Sequence, residues 1–259
     1  MEKITSTSNS KIKYIEKLNQ KSRFRHSEGA YVIEGERMLK EVDPALVREV
    51  YVSENYRGNE ISRFESENIP VFYVSDAVFK SMSDTKTPQG ILGIAEIKEH
   101  SLDDMLKGDK TLLLFLEDIQ DPGNLGTMIR TGEGAGVTGI VTSKNTVDLY
   151  SPKTVRSTMG SLFRVPVIAV DDFGETILSV RREGVKLYAA HLCGSVFYDK
   201  ADYGGACGFL IGNEGNGLKE ETAKLADGYI KIPMEGKVES LNAAIAATLL
   251  MYEVHRQRG

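Results

Sequence analysis

The 259-residue chain contains only two cysteines, Cys193 and Cys207. Two cysteines cannot make a disulfide framework or a cysteine metal cluster, so we expect both to be small buried apolar residues. The chain also has no apolar run of membrane-spanning length, and its N-terminus has no signal-peptide core. These absences predict a reducing, cytoplasmic location, no membrane association and no metal.

Glycine, proline and glutamine are not in excess, and the chain has no internal repeat or low-complexity segment. The composition is therefore that of an ordinary globular protein. A chain of 259 residues makes one large domain or two domains of ordinary size. The formal net charge of −5 argues against a protein that binds nucleic acid over its whole surface.

The first 26 residues have the opposite charge. They contain seven Lys and Arg residues and two Glu residues, a local net charge of +5, which leaves −10 for the remainder. A basic segment of this kind favours contact with phosphates, although a solvated helix face has the same composition.

Short apolar runs alternate with amphipathic stretches along the chain, which predicts an α/β fold. A basic helix and a small α/β domain are predicted at 1–98, a polar linker at 99–109, and a second α/β domain at 110–259. In the second domain, strands are predicted at 111–117, 138–142, 165–170, 185–190, 207–212 and 229–232, and helices at 123–135, 151–161, 172–183, 217–226 and 240–257. Near-continuous apolar strands such as 112–116 are typical of a parallel sheet covered on both faces.

The last predicted helix, 240–257, is apolar on most of its sides. A helix of this composition must be buried against something. A partner subunit is a reasonable candidate for that cover.

The stretch 116–130 joins a buried apolar strand to a helix through a Pro-Gly turn. It places Asn124 near the start of the helix and Arg130 about two turns further on. Asn offers a planar donor and acceptor, and Arg offers a cationic fork that suits phosphate. An ordinary turn with a surface Arg has the same pattern, so the rest of the chain must decide between the two interpretations.

Two later loops also join a strand to a helix. The loop 211–218 has Glu214 among three glycines, which let a ligand approach the backbone closely, although a flexible turn is the alternative. The loop 232–242 contains Ser240, which could simply cap the last helix. Its final residue, Asn242, opens a very apolar helix and should therefore meet a polar partner.

The glycines at 134–139 have the spacing of a dinucleotide-binding fingerprint. That fingerprint needs a strand before it and a helix after it, whereas here the order is reversed. We therefore expect these glycines to end the preceding helix.

The three strand-to-helix loops are expected to meet, because the carboxyl ends of strands in an open α/β sheet converge on one crevice. Their polar residues include no His or Cys nucleophile and no metal cluster. Such a site suits binding, alignment and electrostatic stabilisation better than covalent or metal catalysis.

These motifs together resemble those of a known family. The segments 121–130 (Asp-Pro-Gly-Asn-Leu-Gly-Thr-Met-Ile-Arg), 212–217 (Gly-Asn-Glu-Gly-Asn-Gly) and 240–242 (Ser-Leu-Asn) look like the three ordered motifs of the TrmH/SpoU branch of the SPOUT methyltransferases. The segment 150–161 is similar to the middle segment of that family. In the first domain, 34–37 and 83–90 resemble the family's small substrate-binding domain, which is similar to certain RNA-binding ribosomal proteins.

The resemblance covers nearly the whole chain and implies a fold and an activity. It implies an α/β domain whose C-terminal part is tied in a trefoil knot, and a homodimer through this domain. S-adenosylmethionine is the implied cofactor, and the implied reaction is methyl transfer to a ribose 2′-hydroxyl of RNA. Ribosomal RNA is the expected substrate; a tRNA substrate, or a non-catalytic RNA-binding protein that retains the fold, are the alternatives.

The resemblance also implies roles for individual residues. The implied cofactor contacts are Gly212, Gly217, Ile232, Met234 and Leu241. The implied catalytic and substrate-positioning residues are Asn124, Arg130, Glu214, Ser240 and Asn242. Because Arg is effectively always charged, we expect Arg130 to clamp the neighbouring phosphate and stabilise the developing alkoxide, while phosphate or solvent takes the proton.

Overall fold

The computed structural model describes residues 3–108, 110–192, 196–238 and 240–259. Contacts between Cα atoms divide the chain into two compact units. The first unit contains residues 1–98 and 148–163, and the second contains 99–147 and 164–259. Cys207 is buried as expected, whereas Cys193 lies outside the described residues.

The elements are numbered here in chain order. The strands are β1 Ala30–Glu34, β2 Val47–Ser53, β3 Val71–Val74, β4 Ile91–Glu96, β5 Leu112–Leu116, β6 Gly139–Ser143, β7 Val167–Val170, β8 Lys186–Ala190, β9 Val196–Phe197, β10 Cys207–Ile211 and β11 Gly228–Lys231. The helices are α1 Ser10–Gln20, α2 Ser22–Glu28, α3 Glu36–Glu41, α4 Ile61–Ser66, α5 Asp76–Met82, α6 Leu102–Met105, α7 Pro122–Ala135, α8 Pro152–Thr158, α9 Phe173–Arg182, α10 Glu220–Ala223 and α11 Ala243–Arg258.

The first unit is built on a four-stranded sheet in the order β1-β4-β2-β3. Strand β4 pairs antiparallel with β1 and β2, and β2 pairs parallel with β3. Helix α1 packs on this unit because Ile12, Ile15 and Leu18 recur every three residues and form a fully buried stripe. Its lysines are left on the partly exposed and exposed sides.

The segment 148–163 packs with the first unit, although the sequence placed it in the second domain. Val155 and Leu162 are buried in the same hydrophobic core as Tyr31 and Ile33 of β1. The helix predicted at 151–161 is shorter than expected and ends at Thr158, because Met159 adopts the left-handed conformation at φ 54°.

Arg25 fixes this segment to α2 through a buried ion pair with Asp148. The Arg25 side chain is 4% exposed, and its Nε lies 3.0 Å from Asp148 Oδ2. The same guanidinium donates to the backbone carbonyls of Leu18 and Asn19. Burial opposes the charged form of Asp148, but hydrogen bonds from Ser22, Arg25 and a backbone N–H outweigh it and lower the pKa of this carboxyl.

Replacing Arg25 with Ala should strongly destabilise the first unit. The substitution removes the buried guanidinium from the half-buried Asp148 carboxylate and leaves His26 Nε2, 3.6 Å away, as its remaining ion partner among the described residues. Breaking a fully buried ion pair typically costs about 3–5 kcal/mol, so we expect a loss at the lower end of that range. Urea unfolding of Arg25→Ala against Arg23→Ala, an exposed neighbour, measures the difference. Equal unfolding midpoints for the two variants would contradict this role of the ion pair.

The second unit contains a seven-stranded sheet in the order β7-β6-β5-β10-β8-β11-β9. All of its strand pairs are parallel. Every residue of β5 and β10 is buried, as expected for central parallel strands covered on both faces. The predicted α/β class with a parallel sheet is therefore confirmed.

Three local predictions in the second unit differ from the structure. The helix predicted at 217–226 covers only Glu220–Ala223, because residues 213–217 close a loop of their own. Strand β9 was not predicted, since two residues are too few to show a periodicity. The last helix begins at Ala243, not at 240, and its cap is Asn242, so the alternative in which Ser240 caps it is wrong.

The glycines at 134–139 end a helix, as predicted. Helix α7 stops at Ala135, and Gly136 takes the left-handed conformation of a C-cap at φ 84°. Strand β6 follows from Gly139. A search of the described helices finds none that is long and apolar enough to cross a membrane.

Candidate active site

The candidate site begins where β5 and β10 end. These two strands are neighbours and run parallel, so the loops that follow them leave the same edge of the sheet. After β5, Asp121 caps α7 by accepting a hydrogen bond of 2.9 Å from the Asn124 N–H, and Pro122 occupies the first turn. This cap sets the position of Asn124 at the start of α7.

Asn124 is hydrogen-bonded to both of the other predicted loops. Its Nδ2 lies 2.8 Å from Glu214 Oε1, and its Oδ1 lies 3.0 Å from Asn242 Nδ2. The expectation that Asn242 meets a polar partner is therefore confirmed. The structure joins three of the five predicted catalytic residues in one chain of hydrogen bonds.

The polarity of this chain is set by the cap of α11. Asn242 Oδ1 accepts from the N–H groups of Ala244 at 2.9 Å and Ile245 at 3.3 Å. Since the oxygen is committed to the cap, the amide nitrogen of Asn242 is the atom that donates to Asn124. Asn124 must then accept through its oxygen and donate through its nitrogen to Glu214.

Glu214 accepts three hydrogen bonds. Besides Asn124, it accepts from the backbone N–H of Gln120 at 3.1 Å and of Asp121 at 3.2 Å. Burial opposes ionisation, but these hydrogen bonds outweigh it and lower the pKa of the Glu214 carboxyl. A carboxylate with a lowered pKa is a poor proton acceptor. Glu214 is therefore better suited to positioning Asn124 than to general-base catalysis.

The glycine loop after β10 is held by its own backbone. Asn213 and Gly217 exchange two hydrogen bonds, of 3.1 and 2.9 Å, and Asn213 Oδ1 accepts from Gly215 and Asn216. A Cβ at Gly212 would lie 2.0 Å from the Leu218 nitrogen, so only glycine fits there. Gly217 has φ +70°, a conformation that favours glycine.

Arg130 and Ser240 are not part of the hydrogen-bond chain. Arg130 is exposed and forms no ion pair with any described residue. Arg130 follows Asn124 by six residues on α7. The two side chains therefore point in directions that differ by about 120° around the helix axis. Ser240 is exposed, and of the predicted cofactor contacts Ile232, Met234 and Leu241 are half-buried in the loop between β11 and α11.

The sequence did not single out two acidic residues that contact the glycine loop or the residues directly after it. Glu117 accepts from the backbone N–H of Lys219 at 2.8 Å, and the Asp118 carbonyl accepts from Asn213 Nδ2 at 2.7 Å. Their only signal is their position directly after an apolar strand, which many surface acids share.

Two solved structures that are similar to this chain over nearly its whole length are methyltransferases. An S-adenosylmethionine-bound rRNA methyltransferase from Sinorhizobium meliloti matches with a TM-score of 0.89 and 30% identity over 98% of this chain and 97% of that chain. The SpoU methyltransferase AviRb from Streptomyces viridochromogenes matches with a TM-score of 0.87 and 26% identity over 96% and 98%. The parallel sheet and its end loops are therefore those of an α/β fold that these methyltransferases share.

The sequence comparisons identify the family. Residues 111–252 match the SpoU rRNA Methylase family, and residues 9–93 match the MRM3-like substrate binding domain. The 23S rRNA (guanosine(2553)-2′-O)-methyltransferase RlmP of Bacillus subtilis is 32% identical over 98% of this chain and 99% of its own length. The chain belongs to the SpoU rRNA methylase family, which confirms the predicted family and its enzyme class, an RNA methyltransferase.

Asn242→Asp should separate helix capping from catalysis. Asp caps a helix about as well as Asn, so the unfolding midpoint should hardly change. Asp cannot donate to Asn124 Oδ1 and places a negative charge against it, so methyl transfer should fall roughly 10- to 100-fold through misalignment.

Asn9→Asp is the matched control, because Asn9 caps α1 in the first unit. This variant should keep both stability and turnover. Normal turnover in Asn242→Asp, measured by incorporation of labelled methyl into RNA, would show that the orientation of Asn124 does not matter.

Proposed function

We propose that this chain transfers a methyl group from S-adenosylmethionine to a ribose 2′-hydroxyl of ribosomal RNA. The observation that carries the proposal is the oriented Asn124 amide beside a glycine loop at the carboxyl end of a parallel sheet. The proposal is supported by the full-length similarity to a relative named as a 23S rRNA 2′-O-methyltransferase.

The residues around the glycine loop fit such a cofactor. Gly212 and Gly217 present backbone without side chains, and Ile232, Met234 and Leu241 offer half-buried apolar surface. A ligand with an aromatic base, a ribose and a charged amino-acid tail needs both kinds of contact. When bound, S-adenosylmethionine supplies the electrophilic sulfonium methyl group.

The residues of the chain then align the RNA hydroxyl for in-line attack. Asn124 keeps one amide N–H free of Glu214 and can direct it to the ribose. Arg130, exposed, without an ion partner among the described residues and on another face of α7 than Asn124, suits a phosphate next to that ribose. Phosphate or solvent takes the proton, since the lowered pKa of the Glu214 carboxyl makes it a poor proton acceptor.

Arg130→Lys should lower turnover on RNA while cofactor affinity stays the same. Lysine keeps the charge but loses the bidentate fork, so the fall should be about tenfold or more. Single-turnover rates and calorimetry with S-adenosylmethionine measure the two quantities. Wild-type turnover in Arg130→Lys would refute the role of the fork.

We also propose that the C-terminal part of the second unit is tied in a trefoil knot and that the chain forms a homodimer through α11. Ile245, Leu249 and Tyr252 are 50%, 37% and 45% exposed and follow one another at helical spacing. An exposed apolar stripe of this kind fits a self-complementary partner surface. The cytoplasmic location stays a prediction.

Ile245→Glu combined with Leu249→Glu should convert the dimer into a monomer, because charges would be buried in the interface. Sedimentation velocity on wild type and variant tests this. A wild-type protein that sediments as a monomer at micromolar concentration would argue against the dimer.

The first unit, with residues 1–98 as its main part, is proposed to bind the RNA. Its basic N-terminal residues are not equivalent. Lys3, Lys11 and Lys13 are paired with Glu54, Glu49 and Glu16, and Arg25 is buried. Lys17, Lys21 and Arg23 are exposed and form no ion pair with a described residue. These three cations are therefore the preferred phosphate contacts.

Replacing Lys17, Lys21 and Arg23 with Ala should weaken RNA binding and lower the magnitude of the salt slope of log K by about 2 to 3. The matched control replaces Lys3, Lys11 and Lys13, which removes the same formal charge from cations that already have partners. Equal losses of affinity in the two triple variants would mean that only net charge matters.

The substrate is tested with the purified protein, labelled S-adenosylmethionine, and either ribosomal RNA or tRNA transcripts. We expect methyl incorporation into ribosomal RNA. The phosphodiester next to the methylated ribose should then resist alkaline hydrolysis. Incorporation into tRNA alone would favour the tRNA alternative. Absence of any heat on titration with S-adenosylmethionine would favour a non-catalytic RNA-binding protein.

A further inference from the structure

Asp118 is the point where the ends of three adjacent strands are joined. It follows β5, and its backbone is in the left-handed region at φ 53°. Ser143 at the end of β6 donates to its Oδ1 at 2.7 Å, and Lys219 after β10 places Nζ 2.8 Å from its Oδ2. The strand order β6-β5-β10 makes these three ends neighbours.

Glu117 makes a second connection to the same loop. This carboxylate is only 4% exposed, yet it has two donors from beyond the glycine loop, the Lys219 N–H at 2.8 Å and the Thr222 hydroxyl. Lys219 Nζ lies 3.7 Å from Glu117 Oε1 as well. Lys219 is thus held by its backbone and its side chain at the point where the loop ends.

The loop is therefore bound at both its base and its tip to the segment that carries Asn124. At the tip, Glu214 accepts from Gln120, Asp121 and Asn124. At the base, Asn213 donates to the Asp118 carbonyl, and Lys219 meets Glu117 and Asp118. A left-handed conformation at a residue other than glycine persists where surrounding contacts over-determine it, and it is more often found at functional sites.

We infer that Asp118, Glu117 and Lys219 are positioning residues, which hold the glycine loop in register with Asn124 so that cofactor and RNA hydroxyl align. The inference rests on the proposed function of that loop in holding S-adenosylmethionine. These residues act through the loop and do not themselves touch the reacting atoms.

The charges support this role. Burial opposes ionisation of Asp118, but Lys219 and Ser143 outweigh it and lower the pKa of its carboxyl. The Lys219 side chain is 49% exposed, so its ion pair should add little to global stability. Loosening it should therefore change the placement of the loop before it changes the unfolding midpoint.

The test is a double-mutant cycle on Asp118→Asn and Lys219→Met, read out as the affinity for S-adenosylmethionine. Asn tolerates the left-handed backbone, and Met keeps the apolar stem of Lys219. Each single variant should weaken cofactor binding about fivefold, and the double variant should be no worse than either, since contacting residues are not additive. Lys219→Arg should restore most of the affinity.

The matched control is Lys224→Met. Lys224 directly follows α10, and among the described residues it forms an ion pair only with Glu220. The variant should leave cofactor affinity unchanged. Unfolding midpoints of all variants should stay close to that of the wild type.

Wild-type cofactor affinity in Asp118→Asn and Lys219→Met would overturn the positioning role while leaving the proposed function intact. Losses that add in the double variant, or that follow the unfolding midpoint, would also overturn it. Failure of the wild-type protein to bind S-adenosylmethionine would instead refute the proposed function, and this inference with it.

Discussion

The arrangement of the candidate site depends on the orientation of one carboxamide, that of Asn124. A carboxamide can turn by half a rotation with almost no change of shape, so its direction must be set by neighbours of fixed polarity. Asn242 is such a neighbour, because its oxygen is committed to the backbone N–H groups of α11. Glu214 is the other, because an ionised carboxylate can only accept. Together they fix which face of Asn124 offers a donor.

The parallel sheet brings only two of the three loops together by strand adjacency. Strands β5 and β10 are neighbours, but β8 lies between β10 and β11. The loop after β11 therefore has to cross the sheet end before Asn242 can reach Asn124. Helix α11 then packs against α7. The apolar side of α11 and the hydrogen bonds at its cap therefore both hold Asn242 beside Asn124.

The sequence predicted what depends on local pattern. The apolar strands and the glycine C-cap of α7 follow from neighbouring residues, and the ordered motifs identified the family. It also predicted that Asn242 needs a polar partner, but not which one, since Asn124 is 118 positions away in the chain. The packing of 148–163 with the first unit and the Asp118–Lys219 contact are likewise non-local. The periodicity of the sequence cannot predict such non-local contacts.

We propose that the oriented Asn124 amide aligns the ribose hydroxyl of ribosomal RNA for methyl transfer. The most direct measurement maps 2′-O-methyl groups in ribosomal RNA from cells that lack the protein, complemented with the wild type or with Asn124→Asp. We expect a ribose methyl group that disappears without the protein, returns with the wild type and stays absent with the variant. An unchanged methylation map in all three strains, or full restoration by Asn124→Asp, would contradict it.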